Sequence, residues 1–431
     1  MVPASWSSRT RSMNIASSRI SSTQRRCSRS LSSIWSANAP DGGGSMEQAT
    51  ALILIASAAF FLPLIASHLR TPAVVLELLF GVLVGPVLGW IEPSELLDLL
   101  GQLGLYLLMF LAGFEIDFRA IERQGRRRLL ILLGVFLATL AVSNWFTMRL
   151  GYNAFMTLVL ATTSVGLVVP TLRNTRRITT PLGQYILISA IIADFLTLVL
   201  VAMLALVERH GVGLELLQMP ALFIAIILVL RSLRLAVWWY PERFRRLFSG
   251  DDPEELGMRA SLALMLAFVG LSMALDVEPI LGAFLAGTVF AIVFRSRGVL
   301  EHQLNGFSYG FLIPIFFINV GLRFELDVVL NPDVFVKALL VIAAAFAVKI
   351  LPSLLFFLHG FTAREVLAAG VLLSARLSLI IAVATVGVEL GLLSTEDRAI
   401  AILLAVVTAT LSPTLFRALA PPLPPKAETM T

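Results

Sequence analysis

From residue 49 onward the chain reads as a succession of apolar runs, each cut off by a charged, proline-marked or glycine-marked break. The runs are close to the ~20 residues that a helix needs to cross a bilayer. About thirteen can be drawn, at 49–67, 72–91, 99–117, 129–148, 153–172, 183–207, 214–231, 259–276, 279–294, 305–323, 334–358, 365–388 and 399–417. The pattern predicts an all-α polytopic membrane protein, with one transmembrane body over 46–420.

The polar breaks test that count independently. If the Met46 end is placed outside and the runs alternate, twenty Lys and Arg residues fall on one side, from Arg70 through the Arg126–Arg128 run to Lys426. Only Arg149, Arg209, Arg323, Lys337 and Arg398 fall on the other. Positive charge marks the cytoplasmic side, and one missed run would scramble the split. The C-terminal tail, 421–431, is therefore expected in the cytoplasm. The basic, aromatic segment 232–258 is expected to lie on the membrane surface. It divides the body into a first half, 49–231, and a second half, 259–418.

Composition narrows the class further. Of the residues, 58% are hydrophobic and 14% charged, against about a quarter charged in soluble domains. The mean hydropathy is +0.88, and a soluble fold would have to expose apolar patches that soluble monomers do not tolerate. The net charge of +5 sits in loops, which fits membrane topology and membrane lipids as surroundings, not nucleic acid. The single cysteine, Cys27, excludes an internal disulfide, and no CxxC or Cys/His grouping suggests a structural metal. No Walker A sequence and no GxGxxG after a strand is present. A nucleotide-binding domain, a resident cofactor and an enzymatic activity are therefore not expected, and transport energy would come from ion gradients.

Residues 1–45 differ from all that follows. They are rich in Ser and Arg, with Asp41 the one acidic residue. The bias resembles an organellar transit peptide. The alternative is an over-extended start, with translation beginning at Met46. Six arginines ahead of Met46 would sit on the wrong side of the membrane, which favours Met46. In either case the segment is expected to be disordered and outside the fold.

Two runs carry hydroxyl-rich interruptions at mid-length: Thr162-Thr163-Ser164-Val165-Gly166 with Pro170, and Ser374-Ala375-Arg376-Leu377-Ser378. Each neighbours an apolar run with one central charge, Asp194 in 183–207 and Lys349 in 334–358. The two interrupted runs cross in opposite directions. Paired broken helices of opposite direction point to an inverted-repeat transporter with its site at the midplane. Close packing of small residues would explain either interruption alone, but two in matching places, each beside a buried charge, favour a site.

A carboxylate at the depth of Asp194 costs several kcal/mol and marks function by default. Taking its charge out of water favours the protonated acid, so one group can hold a proton or a cation but not both. That competition is the minimum needed for antiport. Lys349 reads equally as a structural counter-charge, pairing with Asp194 or with a carbonyl of the break, or as an ammonium that leaves Asp194 when a cation arrives. Arg376, inside the second break, reads as a permanent structural cation for nearby half-helix ends. The remaining polar groups take the bland reading. Glu77 snorkels or bonds a neighbour, Glu115 and Asp117 are balanced by the basic loop after them, and His68, His210, His302 and His359 form no group. Gly81-x-x-x-Gly85 suits helix packing as well as function.

The chain resembles the monovalent cation:proton antiporter-2 family, with its Kef-type and NapA-like sodium/hydrogen exchangers. The resemblance rests on Arg70-Thr-Pro-Ala, Gly81-Val-Leu-Val-Gly-Pro86, Leu108-Met-Phe-Leu-Ala-Gly-Phe-Glu-Ile-Asp117 and Thr162-Thr-Ser-Val-Gly-Leu-Val-Val-Pro170. Asp194, Leu281-Gly-Ala-Phe-Leu-Ala-Gly287 and Pro314-Ile-Phe-Phe-Ile-Asn-Val-Gly321 follow in order. It implies 13 helices in a dimerisation domain and a mobile core, two crossed broken helices, a homodimer and elevator-like alternating access. Asp194 matches the family's ion-binding aspartate, and Lys349 its core lysine. Ala193 stands where many members carry a second Asp or an Asn, which implies electroneutral exchange. Arg376-Leu377-Ser378 replaces a frequent Arg-Gly-Glu and so lacks its carboxylate. Gating by a nucleotide-sensing domain like that of Kef-type systems is not expected.

The leading expectation is exchange of Na+ or K+ for H+ in a bacterial inner membrane. The cation would be held by Asp194, the hydroxyls of Thr162, Thr163 and Ser164, and carbonyls of the break. Symport of a small organic anion with Na+, with Arg376 as the anion's partner, is a second reading. A non-transporting sensor or channel-like subunit of the same fold is a third.

Overall fold

The computed structural model describes residues 42–69, 71–116, 125–211, 213–239, 255–293 and 298–420. Two units are distinguished, Met1–Leu54 and Ile55–Thr431. The described part of the first is the start of helix α1 (Gly42–Leu69). Residues 1–41 and 421–431, and most of the surface segment expected at 232–258, lie outside the described residues. Gly42–Ser45, expected to be disordered, instead form the first turn of α1.

Among the described residues every regular element is helical. Among the described residues ten helices are long and apolar enough to cross a membrane, and an eleventh candidate is the bent pair Ala363–Leu373 and Ser378–Glu389, which meet at 47°. Ala73–Val87 and Pro279–Val293 are shorter apolar helices. Each predicted run therefore holds a helix, although two of them fall below spanning length.

Within Ile55–Thr431 the helices gather into two bundles. The first comprises α2 (Ala73–Val82), α3 (Glu95–Phe114), and later in the chain a pair around residues 256–293 and one over 313–322. The second is built from α4 (Arg126–Leu150), α5 (Ala154–Ala161), α6 (Val165–Asn174) and α7 (Pro181–His210), with the last four helices of the chain. Between them in sequence runs α8 (Gln218–Trp239). The first bundle is completed by α9 (Leu256–Ala274), α10 (Pro279–Val293), α11 (Gly298–Phe307) and α12 (Ile313–Leu322), and the short α13 (Leu326–Leu330) that follows packs on the second. The second is completed by α14 (Pro332–Ser353), α15 (Ala363–Leu373), α16 (Ser378–Glu389) and α17 (Thr395–Leu419).

Glycines set the spacing in the first bundle. A methyl at Gly113 would lie 2.0 Å from the Phe284 carbonyl oxygen, and one at Gly287 would lie 1.9 Å from that of Phe110. α3 and α10 thus meet backbone to backbone. Gly81 and Gly321 do the same for α2 and α12, each 2.2 Å from a carbonyl across the joint. With little hydrophobic drive between helices in lipid, such close approach is what holds them together.

Several helix N-termini carry side-chain caps. Thr362 with Glu365, and Ser394 with Asp397, form reciprocal capping boxes, and Ser94, Asn153 and Thr180 accept from backbone N–H groups. Two π-helical turns, Leu83–Val87 and Ser308–Leu312, interrupt the first bundle. Turns of this kind often accompany functional sites.

Candidate ion-exchange site

The first interruption is a true break. α5 ends at Ala161, Thr162 (φ −55°, ψ 154°) and Ser164 (φ −141°, ψ 107°) are extended, and α6 starts at Val165. Extended backbone here frees carbonyls at the end of α5 and N–H groups at the start of α6. In a helix end these groups have no partners within the helix.

Side chains from elsewhere meet them. The Val165 N–H donates to Asp194 Oδ2 at 3.1 Å, placing the carboxylate at the positive end of α6. At the negative end of α5, Lys349 Nζ donates to the Ala161 carbonyl and to Thr163 Oγ1, both at 2.6 Å. Arg376 Nε donates to the Thr162 carbonyl and Nη2 to the Ala345 carbonyl, both at 3.0 Å. Arg376 lies in the gap between α15 and α16, so its bond to Thr162 joins one break directly to the other. All three charged groups are buried, at 6%, 4% and 0% exposure for Asp194, Lys349 and Arg376. The arrangement is one anion at a half-helix N-terminus and two cations at a half-helix C-terminus.

Of the two partners open to Lys349, the structure has the carbonyl: the ammonium is bound to the break, and Asp194 accepts from backbone instead. Arg376 sits where a structural cation was expected. The four proposed cation ligands are divided. Thr163 is engaged by Lys349, and the Thr162 hydroxyl donates to Val159 O at 2.7 Å. Ser164 is buried at the start of α6.

Among the described residues Asp194 Oδ1 has no hydrogen-bond partner, and its residue lines a cavity of about 20 Å³. That is room for about one water-sized occupant. Gly166, Ser378, Phe284, Tyr309 and Glu115 also line it. Tyr309 is delivered by the π-turn before α12, and Ser378 opens α16. Tyr309 was not singled out from sequence, Ser378 was named only as part of the second break, and Glu115 was set aside as balanced by a loop. The signal for Glu115 was its register: Leu108, Ala112 and Glu115 share one face of α3. Glu77, expected to snorkel or to bond a neighbour, is buried with Oε2 unpartnered. Asp117 lies outside the described residues. No group of three or more His, Cys, Asp and Glu side chains suited to a metal occurs among the described residues.

A family described as the transmembrane sodium/hydrogen exchanger matches residues 55–420. The chain is 32% identical over 395 residues to a putative Na+/H+ antiporter of Bacillus subtilis, covering 85% of this chain and 62% of that protein. It is 27% identical over 384 residues to a probable Na+/H+ antiporter of Methanocaldococcus jannaschii, covering 84% of this chain and 94% of the relative. In fold it is similar to the solved sodium proton antiporter MjNhaP1 of the same archaeon. The TM-score is 0.61 at 18% identity, over 86% of this chain and 96% of that one.

Proposed function

This chain belongs to the sodium/hydrogen exchanger family, and on that premise we propose that it exchanges a monovalent cation, Na+ or K+, for H+ across a membrane, with the Asp194 carboxylate as the one group both occupy. The observation that carries this reading is the unpartnered Asp194 Oδ1 facing a cavity large enough for one small occupant. The other carboxylate oxygen is held by the Val165 N–H, so the group is aimed but not satisfied. When the cation leaves, burial drives proton uptake, and when the cation enters, its charge displaces the proton.

Alternating access is supported by the division into two bundles. Asp194 and both breaks belong to the second, while Glu115, Phe284 and Tyr309 come from the first. A shift of one bundle past the other would carry Asp194 from one face to the other. Exchange is one-for-one and electroneutral in this reading, because Ala193 leaves Asp194 as the one carboxylate that α7 brings to the site, and Lys349 stays bound to the break. Assembly as a homodimer, residence in a bacterial inner membrane and a cytoplasmic C-terminus complete the proposal. The charge split across the breaks supports the last of these. Symport of an organic anion is disfavoured, since the matched family and the similar proteins are described as sodium/hydrogen exchangers and Na+/H+ antiporters.

Everted vesicles carrying a pH dye test the proposal. Adding Na+ or K+ should dequench the dye with the native chain, and Asp194→Asn should abolish the response. In proteoliposomes the exchange rate should be indifferent to an imposed membrane potential. Exchange by Asp194→Asn at the native rate would exclude Asp194 as the site, and acceleration by the potential would exclude one-for-one exchange.

A further inference from the structure

One face of α3 lines two cavities at its opposite ends. Leu108, Ala112 and Glu115 border the small cavity at Asp194. Asp98, Gly101 and Leu105 border a second cavity of about 420 Å³, which Asn319, Thr385 and Glu389 help to enclose. α12 and α16 contribute to the second cavity, and Ser378 and Leu379 of α16 reach the first. A path between the two faces is thus outlined along α3 and α16. It is closed over less than one helical turn, between Leu105 and Leu108.

Each cavity holds one acidic side chain whose position packing does not explain. Glu115 is the C-cap of α3, and Glu389 is the last residue of α16. The negative end of a helix dipole disfavours a carboxylate. Yet neither has an ion pair within 4.0 Å among the described residues, whereas Asp98 in the same outer cavity is paired with Arg323. Glu301 and Arg173 act on Glu115 through space, and Arg209 acts on Glu389. Each cavity also holds a buried oxygen with no partner, Asp194 Oδ1 in one and Asn319 Oδ1 in the other. Carboxylate and amide oxygens suit a hard cation, and the two arginines that also line the larger cavity, Arg323 and Arg398, are held in ion pairs with Asp98 and Glu325. The volumes grade accordingly: the larger cavity admits a hydrated ion, the smaller about one water-sized body.

We propose that Glu115 and Glu389 are cation-collecting carboxylates, one at each mouth, each gathering the transported cation on its own face before it reaches Asp194. The inference rests on the exchange reading above. A charge in a low-dielectric mouth raises the local concentration of opposite ions, and it does so only for the face it opens to.

The test is half-saturation measured from each face on the full chain, using Na+ and K+ as probes in everted vesicles and in right-side-out vesicles. Glu115→Gln should raise the half-saturating concentration by about threefold or more on the arginine-rich face, with the opposite face unchanged. Glu389→Gln should do the reverse. A high concentration of an impermeant salt should shrink both differences, because screening replaces the lost attraction. Glu115→Asp and Glu389→Asp, which keep the charge, should restore the native values and serve where a glutamine variant fails to assemble. A shift on both faces alike, or on neither, overturns the proposal. Retention of exchange by Asp194→Asn would overturn the Asp194 reading instead, whatever the two glutamates do.

Discussion

Asp194 and Lys349 are both buried charges on apolar helices, yet their surroundings assign them different work. Asp194 keeps one oxygen free. Replaced by Asn, it still offers an oxygen to the Val165 N–H, so the break stays capped while the exchangeable charge is gone. Lys349 has both of its acceptors at 2.6 Å. Replaced by Met, it leaves the buried Ala161 carbonyl and the Thr163 hydroxyl short of a donor, at a cost of about 1–3 kcal/mol. Thermal melting in detergent should separate the two: Asp194→Asn melts with the native protein, and Lys349→Met melts several degrees lower. Equal melting of the two variants would contradict a structural role for Lys349. The charges themselves were legible in the sequence, because a lone Asp or Lys amid apolar residues stands out by cost alone. Their partners were not. Whether Lys349 meets a carboxylate or a carbonyl depends on how two breaks meet in space, and no spacing along the chain encodes that. Tyr309 escaped notice for a related reason, since the π-turn that presents it has no residue signature in Ser308–Leu312.

At the scale of helices the chain was more readable. The hydroxyl runs at Thr162–Ser164 and Ser374–Ser378 are where the helices break, because Ser and Thr side chains compete for backbone groups. The run boundaries matched because polar side chains and capping residues end apolar helices where water begins. The short helices α2 and α10 are the exception to the length expected. Several segments that carry the family resemblance turn out to serve packing: Gly81 and Gly321 join α2 to α12, and Gly287 seats α10 on α3. Gly287→Ala puts a methyl 1.9 Å from the Phe110 carbonyl oxygen, and backbone cannot yield as a flexible side chain could. Overpacking of this kind costs about 1–3 kcal/mol. The variant should show less assembled protein by size-exclusion profile and a lower melting temperature. Alanine at Gly134, which has nothing within 4 Å, should leave both unchanged. Because α3 also lines both cavities, displacing it from α10 should slow exchange in whatever Gly287→Ala protein does assemble.

For the molecule as a whole, exchange by movement of one bundle past the other requires that contacts across their boundary break in each cycle. One such contact is explicit. Arg209, at the end of α7, donates from Nη2 to Glu278 Oε1 at 2.7 Å, just before α10 begins, and His210 lies 3.9 Å from Asp276 beside it. By contrast, the Asp98–Arg323 pair joins α3 to the end of α12 inside the first bundle. A tether across the boundary should therefore stop transport, and a tether within one bundle should not. The experiment needs Cys27, the only native cysteine, replaced by Ser. Arg209→Cys with Glu278→Cys, joined by a short bifunctional thiol reagent that reductant can cleave, should lose exchange on cross-linking and regain it on reduction. Asp98→Cys with Arg323→Cys, treated identically, should exchange equally before and after. If the boundary tether leaves the rate intact, the bundles do not slide at this face. Asp194 would then have to gain access to both sides by rearrangement of the breaks alone, with the Lys349 and Arg376 bonds to Ala161 and Thr162 as the contacts that give way.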